Sequence, residues 1–105
     1  MTNSTRLEQL LAYHKDDPND AFTIYGLALE YLNQDLLKAK EYFELLLENH
    51  PEYLPTYYHL GHLYEELEEE ELATKVYKTG IQLAKKQNNA LTLRELQNAL
   101  NELLF

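Results

Sequence analysis

The side chains best suited to chemistry in this 105-residue chain lie together: His59 and His62, three apart, with Glu65 and Glu66 about a turn further on. Residues three and four apart share a helix face, so two imidazoles and a carboxylate there have the spacing to converge on a divalent metal. The spacing permits a site without requiring one, since neutral, exposed histidines beside carboxylates are an ordinary feature of acidic surfaces. An adventitious Zn or Ni is a better expectation there than a resident cofactor, and no cofactor is expected. A four-helix di-iron centre is excluded, because it needs Glu-x-x-His pairs on separate helices and no Glu in the chain has a His three residues later.

Other catalytic signatures are missing. The chain has no Cys, and its single Ser is Ser4, so thiolate metal sites, cysteine nucleophiles and Ser-based triads all fall away. There is no Gly-rich phosphate loop. Carboxylates are abundant, but the run Glu65, Glu66, Leu67, Glu68, Glu69, Glu70, Glu71 reads as solvated charge with no cause for shifted pKa values. Acids at that position also suit the positive end of a helix dipole, and they would attract a basic partner. The expectation is a protein that is not an enzyme.

Charge narrows the partners. Lys plus Arg is 9 and Asp plus Glu is 18, a net −9, which opposes nucleic acid and anionic membrane and suits a basic protein or peptide. No apolar run reaches bilayer length and no basic-then-apolar leader opens the chain, so it is expected to be soluble, unprocessed and, with no disulfide to form, at home in a reducing cytoplasm. Three Gly and three Pro are few, and a 45% hydrophobic content is enough for one self-supporting domain.

The elements that must position these side chains come from a repeat. Leu27, Ala28 and Tyr31 recur as Leu60, Gly61 and Tyr64 at an offset of 33, and Ala39, Phe43 and Leu47 recur as Ala73, Tyr77 and Ile81 at an offset of 34. Pro18 recurs as Pro51. The change of offset puts a one-residue difference in a turn between two helices, where length changes are tolerated best. Each unit is therefore helix, turn, helix.

Periodicity agrees. Ile24, Leu27, Ala28 and Tyr31, then Tyr57, Leu60, Gly61 and Tyr64, follow the i, i+3, i+4, i+7 stripe of a first helix. Second helices carry Leu36, Ala39, Phe43, Leu46 and Leu47, then Ala73, Val76, Tyr77, Gly80 and Ile81. Asp16–Asp17–Pro18, Asn33–Gln34–Asp35 and Asn49–His50–Pro51 punctuate them. Single helices flank the units. One is opened by a Thr5–Glu8 capping box and bears Leu7, Leu10 and Leu11. The other follows Asn88–Asn89 and has a Thr92–Glu95 box and a stripe of Leu93, Leu96, Leu100 and Leu103. This last helix would close the open end with Arg94, Gln97, Asn98 and Asn101 outward.

These residues resemble the tetratricopeptide repeat, a 34-residue unit with an aromatic, Leu and a small residue, Tyr, and later Ala, an aromatic and Pro. Tyr57, Leu60, Gly61, Tyr64, Ala73, Tyr77 and Gly80 fit in the second unit. Leu27, Ala28, Tyr31, Ala39, Phe43 and Pro51 fit in the first, where Leu46 replaces the usual second small residue. The resemblance implies an all-α, right-handed α-α superhelix of about six helices: an N-terminal helix over 1–17, repeats over 18–50 and 51–87, and a capping helix over 88–105. It departs at Glu68, where the family commonly has Gly and where Glu favours continued helix. A rival reading therefore runs one helix from Pro55 to Lys86, a rod of about 48 Å that would leave two apolar faces unpartnered.

The resemblance also implies a function. First helices of the family line a concave face that contacts a bound segment, which by register places Phe22, Tyr25 and Leu29, and then Tyr58, His62 and Glu65, in an aromatic groove with an acidic end. The Lys, Arg and Asn with which some members clamp a terminal carboxylate are replaced here by Tyr, Leu and His. The expected function is a scaffold for a protein or peptide, basic and with apolar anchors. Three alternatives stand beside it: homo-oligomerisation through the same aromatics, a groove partly filled by the chain's own first helix, and metal binding at His59 and His62.

Overall fold

In the computed structural model, which describes residues 5–105, the chain forms an all-α helical repeat. Ser4 and the other residues before Thr5 lie outside the described residues. Among the described residues six helices follow in order: α1 Arg6–Asp16, α2 Ala21–Tyr31, α3 Leu36–Asn49, α4 Pro55–Glu66, α5 Glu70–Lys86 and α6 Ala90–Leu104. They form two compact units, one ending at Pro51 with α1 to α3 and one, Glu52–Phe105, with α4 to α6. No helix among the described residues is long and apolar enough to cross a membrane.

Local chemistry explains where the helices start. Thr5 Oγ1 accepts from the Glu8 amide at 3.0 Å while the Glu8 carboxylate accepts from the Thr5 amide at 2.9 Å, the reciprocal box that satisfies two orphan donors. Asp20 caps α2 through the Thr23 amide and hydroxyl, and those bonds hold its carboxyl below the ordinary range. Asp35 caps α3 through the Lys38 amide at 3.1 Å. Pro55 opens α4, where its missing N–H costs nothing. At α6 the expected Thr92–Glu95 box does not form. Asn89 is the cap, accepting from the Thr92 amide at 3.0 Å, so the helix starts two residues before Thr92.

The rod from Pro55 to Lys86 does not form. After α4 the Glu69 amide donates to the Tyr64 carbonyl and the Glu68 amide to the Glu65 carbonyl, with Glu68 left-handed at φ 61°. These two bonds are the Schellman pattern that satisfies the last carbonyls of a helix. The same pattern ends α5, where Asn89 donates to Ala84, Asn88 donates to Lys85, and Asn88 has φ 57°. Asn adopts that conformation readily, whereas Glu does so at a cost of roughly 1–2 kcal/mol. Packing outweighs that cost, because the turn brings two apolar faces together.

In the first unit Ile24, Leu27, Ala28, Ala39, Phe43 and Leu46 are fully buried between α2 and α3. α1 packs on α2 through Leu10, whose methyls stand 3.1 and 3.2 Å from where a Cβ on Gly26 would lie. α1 also reaches α3, where the His14 ring meets Tyr42 edge to face with centroids 5.7 Å apart, and it leaves Leu11 exposed.

The second unit interlocks more tightly. A Cβ on Gly61 would fall 2.6 Å from Tyr77 Cδ1, and one on Gly80 would fall 2.6 Å from Tyr57 Cβ, so each helix of the α4/α5 pair presents a glycine to the other's tyrosine. Leu96 of α6 reaches the same Gly80, its Cδ1 3.0 Å from that Cβ position, and this contact draws α6 onto α5. Arg94, Gln97, Asn98 and Asn101 are exposed.

Candidate functional site

On α2 the expected contact residues lie at i, i+3 and i+7. Phe22 is 64% exposed, and Tyr25 and Leu29 are half-buried. α1 abuts α2 at Gly26 and sends Arg6 to Glu30, Nε to Oε1 3.1 Å, yet it leaves Phe22 open to solvent. The chain's own first helix therefore lies against part of this face, at Gly26 and Glu30, and leaves Phe22 exposed. The Arg6–Glu30 pair is exposed and contributes little to stability.

On α4 the second trio is built as a connected group. The Tyr58 and His62 rings meet edge to face with centroids 4.5 Å apart, and His62 Nδ1 lies 3.5 Å from Glu65 Oε2. The same carboxylate oxygen accepts from the buried hydroxyl of Tyr77 on α5. Burial, then the bond to Glu65 and its charge, push the Tyr77 phenol far above its ordinary range, so it stays a donor. Tyr77 thus fixes Glu65, and Glu65 with Tyr58 fixes His62, whose side chain is 47% exposed.

Side chains that the sequence reading did not select complete the site. Glu95, Asn98, Ala99 and Glu102 of α6 line a recess of about 170 Å³ together with Tyr58 and His62. They fall at i, i+3, i+4 and i+7, a helical stripe visible in the sequence, although reading Asn98 as purely outward hid it. Asn98 is exposed and also lines the recess.

His59 faces different surroundings. Burial and the neighbouring His62 pull its imidazole below the ordinary value of 6.5, against an opposing pull from Glu95. Its ring packs edge to face on Tyr58 at 5.6 Å. Among the described residues no three His, Asp or Glu side chains are placed to hold a metal ion.

Comparison with known proteins follows the same lines. A family model described as tetratricopeptide repeat matches residues 54–87. The crystal structure of a tetratricopeptide repeat domain protein from Salinibacter ruber is 42% identical, with a TM-score of 0.76, over 80% of this chain and 94% of that one. A solution NMR structure of a tetratricopeptide repeat domain protein from the same organism is 43% identical, with a TM-score of 0.78, over 83% of this chain and 89% of that one. No curated protein sequence matches significantly.

Proposed function

Because the chain belongs to the tetratricopeptide repeat family, whose members generally bind other proteins and generally do not catalyse, we propose that it is a non-enzymatic scaffold binding a protein segment on the first-helix faces of its two repeats. The contact residues are Phe22, Tyr25 and Leu29 on α2, and Tyr58, His62 and Glu65 on α4. The partner carries apolar anchors for the aromatics and basic residues for the carboxylates. A chain with no disulfide to form can do this in a reducing cytoplasm.

One observation carries the reading. Tyr58, His62 and Glu65 are locked to one another and to the buried Tyr77 while still reaching solvent. Such a surface is ordered before a partner arrives, so binding costs mainly the partner's own ordering entropy. A half-exposed aromatic held this way is poor core packing and good contact area.

The test is Tyr58→Ala, followed by affinity capture at low and high salt and by sedimentation velocity. Lost capture with an unchanged sedimentation coefficient supports the reading, as does wild-type capture that weakens as salt rises. Conversion of a dimer to a monomer would instead assign the aromatics to self-association.

A further inference from the structure

We propose that the recess between α4 and α6 is a subsite for one arginine side chain of the bound partner. This rests on the reading that α4 contacts a partner segment, and it adds α6 as a second wall with its own chemistry.

Size comes first. At about 170 Å³ the recess has room for roughly six waters at ~30 Å³ each, enough for the head of one long side chain and far too little for a helix. Its walls then select the head. Tyr58 supplies an aromatic ring, and a cation over such a ring is attracted by its quadrupole. Glu95 and Glu102 stand two turns apart on α6, about 10 Å along the helix axis, with Asn98 between them. The residues lining the recess include no Lys or Arg to neutralise them.

Glu65 is committed elsewhere. It already accepts the Tyr77 hydroxyl and faces His62, and it does not line the recess, so inside the recess the carboxylates are those of α6. An anion would meet two like charges here. An apolar side chain would remove water from two carboxylates and an amide without replacing its hydrogen bonds. A guanidinium satisfies all of the walls: its plane stacks on Tyr58, its N–H groups reach the carboxylates, and it keeps its charge at any working pH. An ammonium offers the charge without the plane, so arginine should be preferred to lysine.

The probe is N-acetyl-arginine-amide, with the lysine and citrulline analogues beside it. Each is titrated into the full chain while amide and aromatic NMR shifts are followed. The expected result is saturable shifts at Tyr58, His62, Asn98 and Glu102 with arginine, at least threefold weaker binding with lysine, and none with citrulline. Glu95→Gln and Glu102→Gln, both at exposed positions that keep the helix, should each weaken arginine at least threefold. Equal shifts with citrulline, shifts outside the recess, or unchanged binding in both variants would overturn the assignment.

Partner capture separates this idea from the broader one. Capture lost with Tyr58→Ala but kept with Glu95→Gln/Glu102→Gln would remove the arginine subsite and leave the binding face standing. Saturable arginine binding in a chain that captures no partner would do the reverse.

Discussion

Gly61→Ala adds a single methyl, and the packing of α4 on α5 makes it expensive. The new Cβ would lie closest to Tyr77 Cε1 and 2.6 Å from Cδ1 and Cζ, against a carbon–carbon optimum of about 3.5–4.0 Å, so the ring would have to retreat by roughly 1.5 Å. Tyr77 has nowhere to go, because it is fully buried and its hydroxyl is tied to Glu65. Overpacking of this kind costs about 1–3 kcal/mol. Stretching the bond to Glu65 adds about 1 kcal/mol, less than the loss of a bond to a charged acceptor because the bond is lengthened and water reaches that carboxylate. Alanine returns about 1 kcal/mol of helix propensity. The net expectation is a loss of about 2 kcal/mol, or roughly 10 °C in Tm for a domain of this size.

Gly26→Ala is the internal control. There the new Cβ meets the Leu10 methyls at 3.1 and 3.2 Å, the far end of a flexible side chain that can shift by tenths of an ångström. Propensity should win, leaving Tm unchanged or slightly raised. Thermal and urea denaturation followed by circular dichroism read both variants. If Gly61→Ala were as stable as Gly26→Ala, the claim that Gly61 admits the Tyr77 ring would be refuted, and with it the explanation for how Glu65 is held. A Gly61→Ala/Tyr77→Leu pair sharpens the result. Removing the ring should make the methyl tolerable, with a coupling of at least ~1 kcal/mol in the double-mutant cycle.

Two other perturbations test separate parts of the structure. Glu68→Gly relieves a left-handed glutamate worth roughly 1–2 kcal/mol and gives back roughly 0.5–1 kcal/mol of unfolded-chain entropy, so stability should rise by about 0.5–1 kcal/mol, while Glu68→Gln, which removes only the charge, should not match it. Equal gains from Gly and Gln would assign the effect to charge repulsion within the acidic run. His59 has a depressed folded pKa, so the unfolded chain takes up its proton more readily. Its contribution to stability is complete above pH 6.5 and is lost as pH falls below that value toward the folded pKa. The urea midpoint followed from pH 7.5 to 5.5 should decline less steeply in His59→Gln than in the parent chain, and identical slopes would show that burial of His59 is not felt by folding.

Much of this was legible in the sequence because the repeat states each packing relation twice. Ala28 and Gly61 at the same register, and Phe43 and Tyr77 one helix later, announce a small residue facing a ring, and all four are buried as that pairing requires. The turn at Glu68 was legible only through the repeat. Its own residues argue for continued helix, and what overrides them is the apolar face on each side, which no local propensity contains. The α6 wall was hidden for a related reason. Asn89–Thr92 and Thr92–Glu95 are equally good starts for a helix, and composition does not choose between them. The end of α5 chooses: Asn88 turns left-handed, and Asn89 follows at once as the cap. α6 then begins early enough that Glu95 lies in its second turn instead of folding back as a cap partner, while Leu96 seats on Gly80. With Leu96 inward, Glu95, Asn98 and Glu102 fall on the flank that meets Tyr58 and His62. The acidic recess is therefore a consequence of how one helix stops.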